Sequence, residues 1–240
     1  MYRRNYRERD LLIKFMTAEF GTKMFLIRGA RRNRFKMRAD LLAFTYGTYY
    51  GNISSSGLSY VRSAESVHHY LNIIRHLTLN AYATYIMGLV DSALPESQPS
   101  LVWFRKLFYG LKLINSDIDP EVITDIFEIQ LLSVFGVAPE LGHCVICGRK
   151  DLPLDFSEKY GGLLCAKHWH RDPYRSRLAP KTVAYLQMLA KIPLNRIGRV
   201  NVQPLVKEQL WRLLNELYDD SVGLKLKSKR FLNQMRRFKL

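Results

Sequence analysis

"LLIKFMTAEFGTKMFLIRGA" occupies residues 11–30. Its two halves, LLIKFMT (11–17) and TKMFLIRGA (22–30), are rich in the residues that strands prefer, and the intervening AEFG ends in Gly21, a turn signal. The stretch predicts two antiparallel strands. Working outward, MYRRNY supplies a strand before them, RRNRFKMR (31–38) has no period and reads as a loop, and LLAFTYGTYYGN (41–52) and LSYVRSAESV (58–67) give two more strands around ISSSG. Five short strands within residues 1–66 predict a small Greek-key barrel of the OB type. The first of them is short, which predicts additional strand residues before Met1.

From residue 67 the period becomes helical. Val67, Tyr70, Leu71, Ile74, Leu77, Ala81 and Tyr85 share one face of a predicted helix that ends at PESQPS (95–100), with His68, His69 and His76 on the same helix. A second helix lies within residues 101–114. A third has Asp119 as N-cap, Pro120 at its first position, Glu121 in its first turn and Gly136 near its end. Further helices are predicted in PKTVAYLQMLAKI (180–192), PLVKEQLWRLLNELYDD (204–220) and LKLKSKRFLNQMRRF (224–238). The predicted fold is therefore α+β. An OB-type barrel over 1–66 precedes a helical domain in two parts, 67–143 and 171–240, interrupted by a cysteine-bearing module at 144–170.

All three cysteines of the 240 residues fall in that module. Cys144 and Cys147 form one C-x-x-C pair, and Cys165 and His168 form a C-x-x-H pair. Each pair can aim two ligands at one point, and the residues between them suffice for a hairpin that brings the pairs together. Gly148 suits a tight turn after the first pair, and Gly161-Gly162 suits the turn into the second strand. One structural zinc ion is expected, because four protein ligands leave no position for a reacting water. Three buried apolar cysteines beside an incidental histidine are the plain alternative, and the doubled spacing weighs against it. His170 and, less well placed, His143 are alternative fourth ligands.

The chain carries a formal charge of +16. Residues 1–38 hold twelve Lys and Arg against Glu8, Asp10 and Glu19, residues 221–240 hold seven against no acid, and the residues between are balanced. Two segregated cationic clusters point to a polyanionic partner, since their self-repulsion costs stability without one. Arg28, Arg31, Arg32, Arg34, Lys36 and Arg38 are the candidate phosphate contacts, and Phe35, Tyr46, Tyr49 and Tyr50 are rings available to stack on bases. Lys225, Lys227, Lys229, Arg230, Arg236 and Arg237 are candidates to extend the track. Catalytic motifs are missing. No His-x-Glu accompanies the cysteines, and there is no H-E-x-x-H, G-x-S-x-G or Walker A pattern. A non-enzymatic, soluble, cytoplasmic protein is expected, with no apolar run long enough to cross a bilayer and no apolar leader core in MYRRNYRERD.

YRERDLLIKFMTAEFGTKMFLIRGARR (6–32), FEIQLLSVFGVAPELGHCVICG (127–148), FSEKYGGLLC (156–165) and LKLKSKRFL (224–232) are together similar to the bacterial RecO family of recombination mediators. The most specific of these is the APEL…C-x-x-C-G junction. The resemblance implies binding of single- and double-stranded DNA, annealing of complementary strands, and loading of the RecA recombinase together with RecR onto DNA coated by single-strand-binding protein. It further implies a nucleoid-associated location, contact with the C-terminal tail of single-strand-binding protein, no small-molecule substrate, and metal ligation by Cys144, Cys147, Cys165 and His168. The family often has cysteine where this chain has His168. Two competing readings are a zinc-ribbon protein that binds RNA or the ribosome, and a nuclease with carboxylates drawn from Asp117, Asp119 and Asp125.

Overall fold

Strands β1 (Tyr2–Tyr6), β2 (Asp10–Thr17), β3 (Gly21–Ile27), β4 (Thr45–Asn52) and β5 (Ser59–His69) build one sheet in the order β1-β2-β3-β5-β4. The computed structural model describes residues 2–55, 57–199 and 201–238. Neighbouring strands are antiparallel except for β3 and β5, where Phe25 pairs with Ser59 and Leu26 with Tyr60 in parallel. This leaves β1 and β4 as the two edges.

Strand β2 is buried on both faces. Leu11 and Ile13 join Phe25, Ile27, Ala30, Leu41 and Val61 in one apolar core, with Phe15, Phe35, Met37 and Tyr49 packed at its margin. On the opposite parity, Lys14 reaches Asp91 and Glu96 at 2.7 Å each. Burial alone pushes the Lys14 ammonium down, but its hydrogen bonds to these two carboxylates hold its pKa above the ordinary lysine value. The β2–β3 turn ends at Gly21 with φ of +66°, and a Cβ there would lie 2.2 Å from the Gln98 carbonyl oxygen. Glycine is required by both the backbone and the space. Ser97 donates its N–H to the Thr22 carbonyl at 2.9 Å, so the chain after residue 94 lies along the start of β3.

The helices are α1 (Leu71–Arg75), α2 (Leu77–Ala93), α3 (Leu101–Asn115), α4 (Pro120–Leu131), α5 (Pro180–Leu189), α6 (Pro204–Leu217) and α7 (Lys227–Phe238). The helical period at residues 67–69 does not form a helix. Val67, His68 and His69 extend β5 instead, with Thr45 opposite His69 and Tyr46 opposite His68. The rings of Tyr46 and His68 stack at 5.2 Å, which adds a cross-strand contact that a helix would forfeit. Asp119 caps α4 as predicted, accepting from the Glu121 N–H at 3.1 Å, with Pro120 at the first position.

Two compact units emerge. One runs to Asp117 and includes the chain from Arg230 onward; the other is Ile118–Lys229. Helices α1 to α3 thus group with the N-terminal sheet. In the second unit α4, α5 and α6 pack on one another, and Ile123, Phe127, Leu186, Leu189, Leu210 and Leu214 are buried side chains of these helices. A small sheet of β6 (Glu140–Cys144), β7 (Leu154–Ser157) and β8 (Gly162–Cys165) lies between α4 and α5 in the chain, in the order β6-β8-β7. Gln187 of α5 donates to the Leu141 carbonyl at 2.7 Å and ties this sheet to the helices.

Candidate metal centre and nucleic-acid interface

Strands β6 and β8 are parallel neighbours, so their C-terminal ends meet at the same edge of the small sheet. Cys144 ends β6 and Cys165 ends β8. Each strand then turns at once, which delivers Cys147 and His168 to the same point. The three sulfurs and a His168 ring nitrogen all lie within 4.8 Å of one another. Cys147 Sγ is 3.7 Å from Cys165 Sγ, and His168 Nδ1 is 3.3 Å from Cys165 Sγ and 3.5 Å from Cys144 Sγ. A tetrahedral zinc with Zn–S of ~2.3 Å and Zn–N of ~2.0 Å places sulfurs ~3.8 Å apart and sulfur ~3.5 Å from nitrogen. The donor set and its spacing fit that ion.

The local chain explains this geometry. Gly148, with φ of +70°, donates its N–H to the Cys144 carbonyl at 2.8 Å, and Cys144 donates to the Arg149 carbonyl at 2.9 Å. Burial pushes the Cys144 thiol up, yet backbone N–H groups of Cys165, Ile146 and Cys147 together with His168 outweigh it and bring the pKa down to about 6. Burial and the neighbouring cysteines push Cys165 up. His168 lies on a 3-10 turn, Ala166–Arg171, braced by Trp169, whose indole donates to the Leu164 carbonyl at 3.0 Å. Arg175 stacks over that indole at 4.8 Å and lies 3.0 Å from the buried Asp155 carboxylate. Asp155 also accepts from the backbone N–H groups of Phe156, Arg177 and Leu178. His170 is exposed with its ring 6.4 Å from that of His168, and His143 faces Glu140 at 3.3 Å, so neither joins the cluster.

The six candidate phosphate contacts are all exposed in the N-terminal unit, but they are not equally committed. Arg31 donates to the carbonyls of Arg7 and Glu8 at 3.3 and 2.9 Å, which ties the loop to the β1–β2 turn. Arg38 donates to the Arg32 carbonyl at 2.8 Å, and the Arg32 side chain covers Gly29. Arg28 lies over the Tyr60 ring at 5.0 Å. Arg34 and Lys36 make no hydrogen bond or ion pair among the described residues. The rings expected to stack on bases are largely spent on the protein. Tyr46 packs against Tyr70 and Phe108, Tyr49 against Phe15 with its hydroxyl on the Asp40 carbonyl, and Phe35 against the core. Tyr50 is exposed and donates to Glu65 at 2.6 Å.

Sequence comparison closes the question of kinship. Residues 1–70 match the family model "Recombination protein O N terminal" and residues 75–230 match "Recombination protein O C terminal". The chain is 52% identical over 235 residues to the DNA repair protein RecO of Lactiplantibacillus plantarum, covering 98% of this chain and 91% of that one. It is 51% identical over 235 residues to the protein of the same name from Limosilactobacillus fermentum, covering 98% of this chain and 86% of the relative. The chain belongs to the RecO family.

Within this RecO-family chain several residues that shape the sites carry no sequence motif. Asp155 and Asp172 are buried acids; Asp172 accepts from the Ser157 hydroxyl at 2.5 Å and from the Tyr174 N–H at 2.9 Å. Tyr60 and Arg62 are two apart on β5 and so share a face, and Arg28, which follows the end of β3 at Ile27, lies over the Tyr60 ring. That i, i+2 spacing beside a basic loop is the signal that could have found them. Of the acids proposed for a nuclease, Asp119 caps α4 and pairs with Lys207, Asp125 is buried in α4, and Asp117 has φ of +63° in the turn after α3. The Cys/His group is the one potential metal cluster among the described residues. Among the described residues no helix is long and apolar enough to cross a membrane.

Proposed function

We propose that this chain is a non-catalytic DNA-binding mediator of recombinational repair. It anneals complementary single strands and, with RecR, helps load RecA on DNA coated by single-strand-binding protein, whose C-terminal tail it engages. In this reading the N-terminal sheet is an OB-type barrel, supported by the order β1-β2-β3-β5-β4 with its single parallel pair. Arg28, Arg31, Arg32, Arg34, Lys36 and Arg38 meet phosphates, and Cys144, Cys147, Cys165 and His168 hold one structural zinc. The protein works in the cytoplasm at the nucleoid.

The observation that carries this reading is the exposed loop over residues 31–38, where Arg34 and Lys36 have no protein partner among the described residues. Cations left unpaired in a chain of formal +16 are held ready for an anion. Their contribution is to place positive charge between two like-charged strands and lower the repulsion that opposes annealing. No covalent bond changes.

The test is annealing of fluorescently labelled complementary strands, bare and coated with single-strand-binding protein, across a salt series. Acceleration that weakens steeply with salt supports the proposal. Equal or tighter binding of structured RNA, with no acceleration of annealing, overturns it in favour of an RNA-binding protein.

A further inference from the structure

Each unit carries a sizeable cleft among its described residues. The cleft of about 760 Å³ in the second unit mixes Glu158, Asp172 and Glu216 with Lys159, Arg175, Arg177 and Arg212, so its wall carries both signs of charge. The cleft of about 920 Å³ in the N-terminal unit has Arg28 and Arg62 and no acid among its described lining residues. Its floor is apolar, with Leu26, Met37 and the rings of Phe35 and Tyr60. Two of its walls, Arg28 and the Phe35–Met37 segment, belong to the basic loop and the strand end that leads into it, so the cleft is continuous with the cationic surface.

The arrangement of Arg28 and Tyr60 is specific. The guanidinium lies over the half-buried ring at 5.0 Å, while the arginine itself is exposed. A planar cation is thus presented to solvent beside the ring. Nucleobases stack on guanidinium planes and on aromatic faces alike, and they do so only when unstacked from their own helix. In a duplex both faces of every base are already covered.

From this geometry we infer that the cleft takes an unstacked base of a single strand, which continues the Tyr60–Arg28 stack while Arg62 meets the adjoining phosphate. This rests on the DNA-binding reading above and adds to it a means of preferring single strands to duplex. The loop cations act on any phosphate; the cleft acts only on a free base face.

The test uses the full chain with a single-stranded oligonucleotide carrying one 2-aminopurine, and with the matching duplex. Stacking in the cleft changes the probe's fluorescence on binding. Tyr60→Leu, which keeps apolar bulk and removes the ring, should weaken single-strand binding by about tenfold, with the salt slope and the duplex affinity unchanged. Tyr60→Phe should bind as the unaltered chain does. Equal losses on single strand and duplex, or no loss on either, overturn the inference. Should Tyr60→Leu fail to fold, Arg28→Lys keeps the charge and removes the plane, and it should show the same selective loss; an unchanged single-strand affinity for that variant overturns the inference. Arg34→Ala with Lys36→Ala reads the phosphate track separately. If those two weaken binding and Tyr60→Leu does not, the inference fails and the DNA-binding reading stands.

Discussion

The Lys229 ammonium lies 2.5 Å from the carboxylate of Glu128, a residue buried in α4. The lysine belongs to the basic C-terminal segment, yet its charge is committed to the protein. Tyr218 reinforces the place by donating its hydroxyl to the Glu128 carbonyl at 2.9 Å. Removing one partner of a buried pair leaves the other unpaired, which costs about 3–5 kcal/mol. Lys229→Ala should therefore lower the urea midpoint markedly, whereas Lys225→Ala, at an exposed position, should change the unfolding free energy by no more than about 0.5 kcal/mol.

Asp125 lies in the same region of α4 and is buried. Burial, and then the charges of Glu128 and Glu121, raise its pKa well above the ordinary carboxylate value. The folded chain thus holds this proton at pH values where the unfolded chain has released it. Stability from this group falls as pH rises through the unfolded value of about 3.9 and is lowest above the raised one. Asp125→Asn should raise Tm by a few degrees at neutral pH, and the gain should vanish below about pH 4 in melts across a pH series.

At the metal centre the two nearby histidines separate cleanly. His170→Ala should retain one equivalent of zinc per chain, and His168→Ala should lose it, as measured by metal analysis after gel filtration. Cobalt substituted for zinc should give the visible absorption of a tetrahedral sulfur-rich site. Chelation should unfold the β6–β8 module, because both ligand pairs hang from strand ends that a bound metal would join.

In the basic loop, Arg34 and Lys36 differ from Arg31. Losing both of the former should leave stability unchanged and reduce the salt slope of single-strand binding by about 1.4, at about 0.7 for each phosphate contact. Arg31→Ala should weaken DNA binding too, but with a stability loss of about 1 kcal/mol, since its guanidinium holds the Arg7 and Glu8 carbonyls. Fluorescence anisotropy at several salt concentrations, beside a thermal melt of each variant, reads both effects.

How much of this was legible in the sequence depends on whether the signal was local. The β2–β3 hairpin, the Asp119-Pro120 helix start and the C-x-x-C and C-x-x-H pairs announce themselves within a few residues, since turn chemistry, capping and ligand spacing are local. Val67, His68 and His69 misled because three residues fit a helical period as well as a strand; pairing with β4, distant in the chain, decided between them. The rings of Tyr46 and Tyr49 looked available because burial depends on Phe108, Tyr70 and Phe15 arriving from elsewhere. The support that Asp155 gives to the metal module was illegible for the same reason, since its partners lie at residues 175–178.

The parallel seam between Phe25 and Ser59 has a further consequence during synthesis. Until the ribosome has released Ser59 and Tyr60, β3 exposes a bare edge of backbone donors and acceptors on a strand that carries Phe25, Leu26 and Ile27. Such an edge is a template for wrong pairing with another nascent chain. Premature termination anywhere in the 31–58 region should thus yield insoluble fragments rather than a small independent sheet, and the first point at which the N-terminal part can fold lies beyond Tyr60.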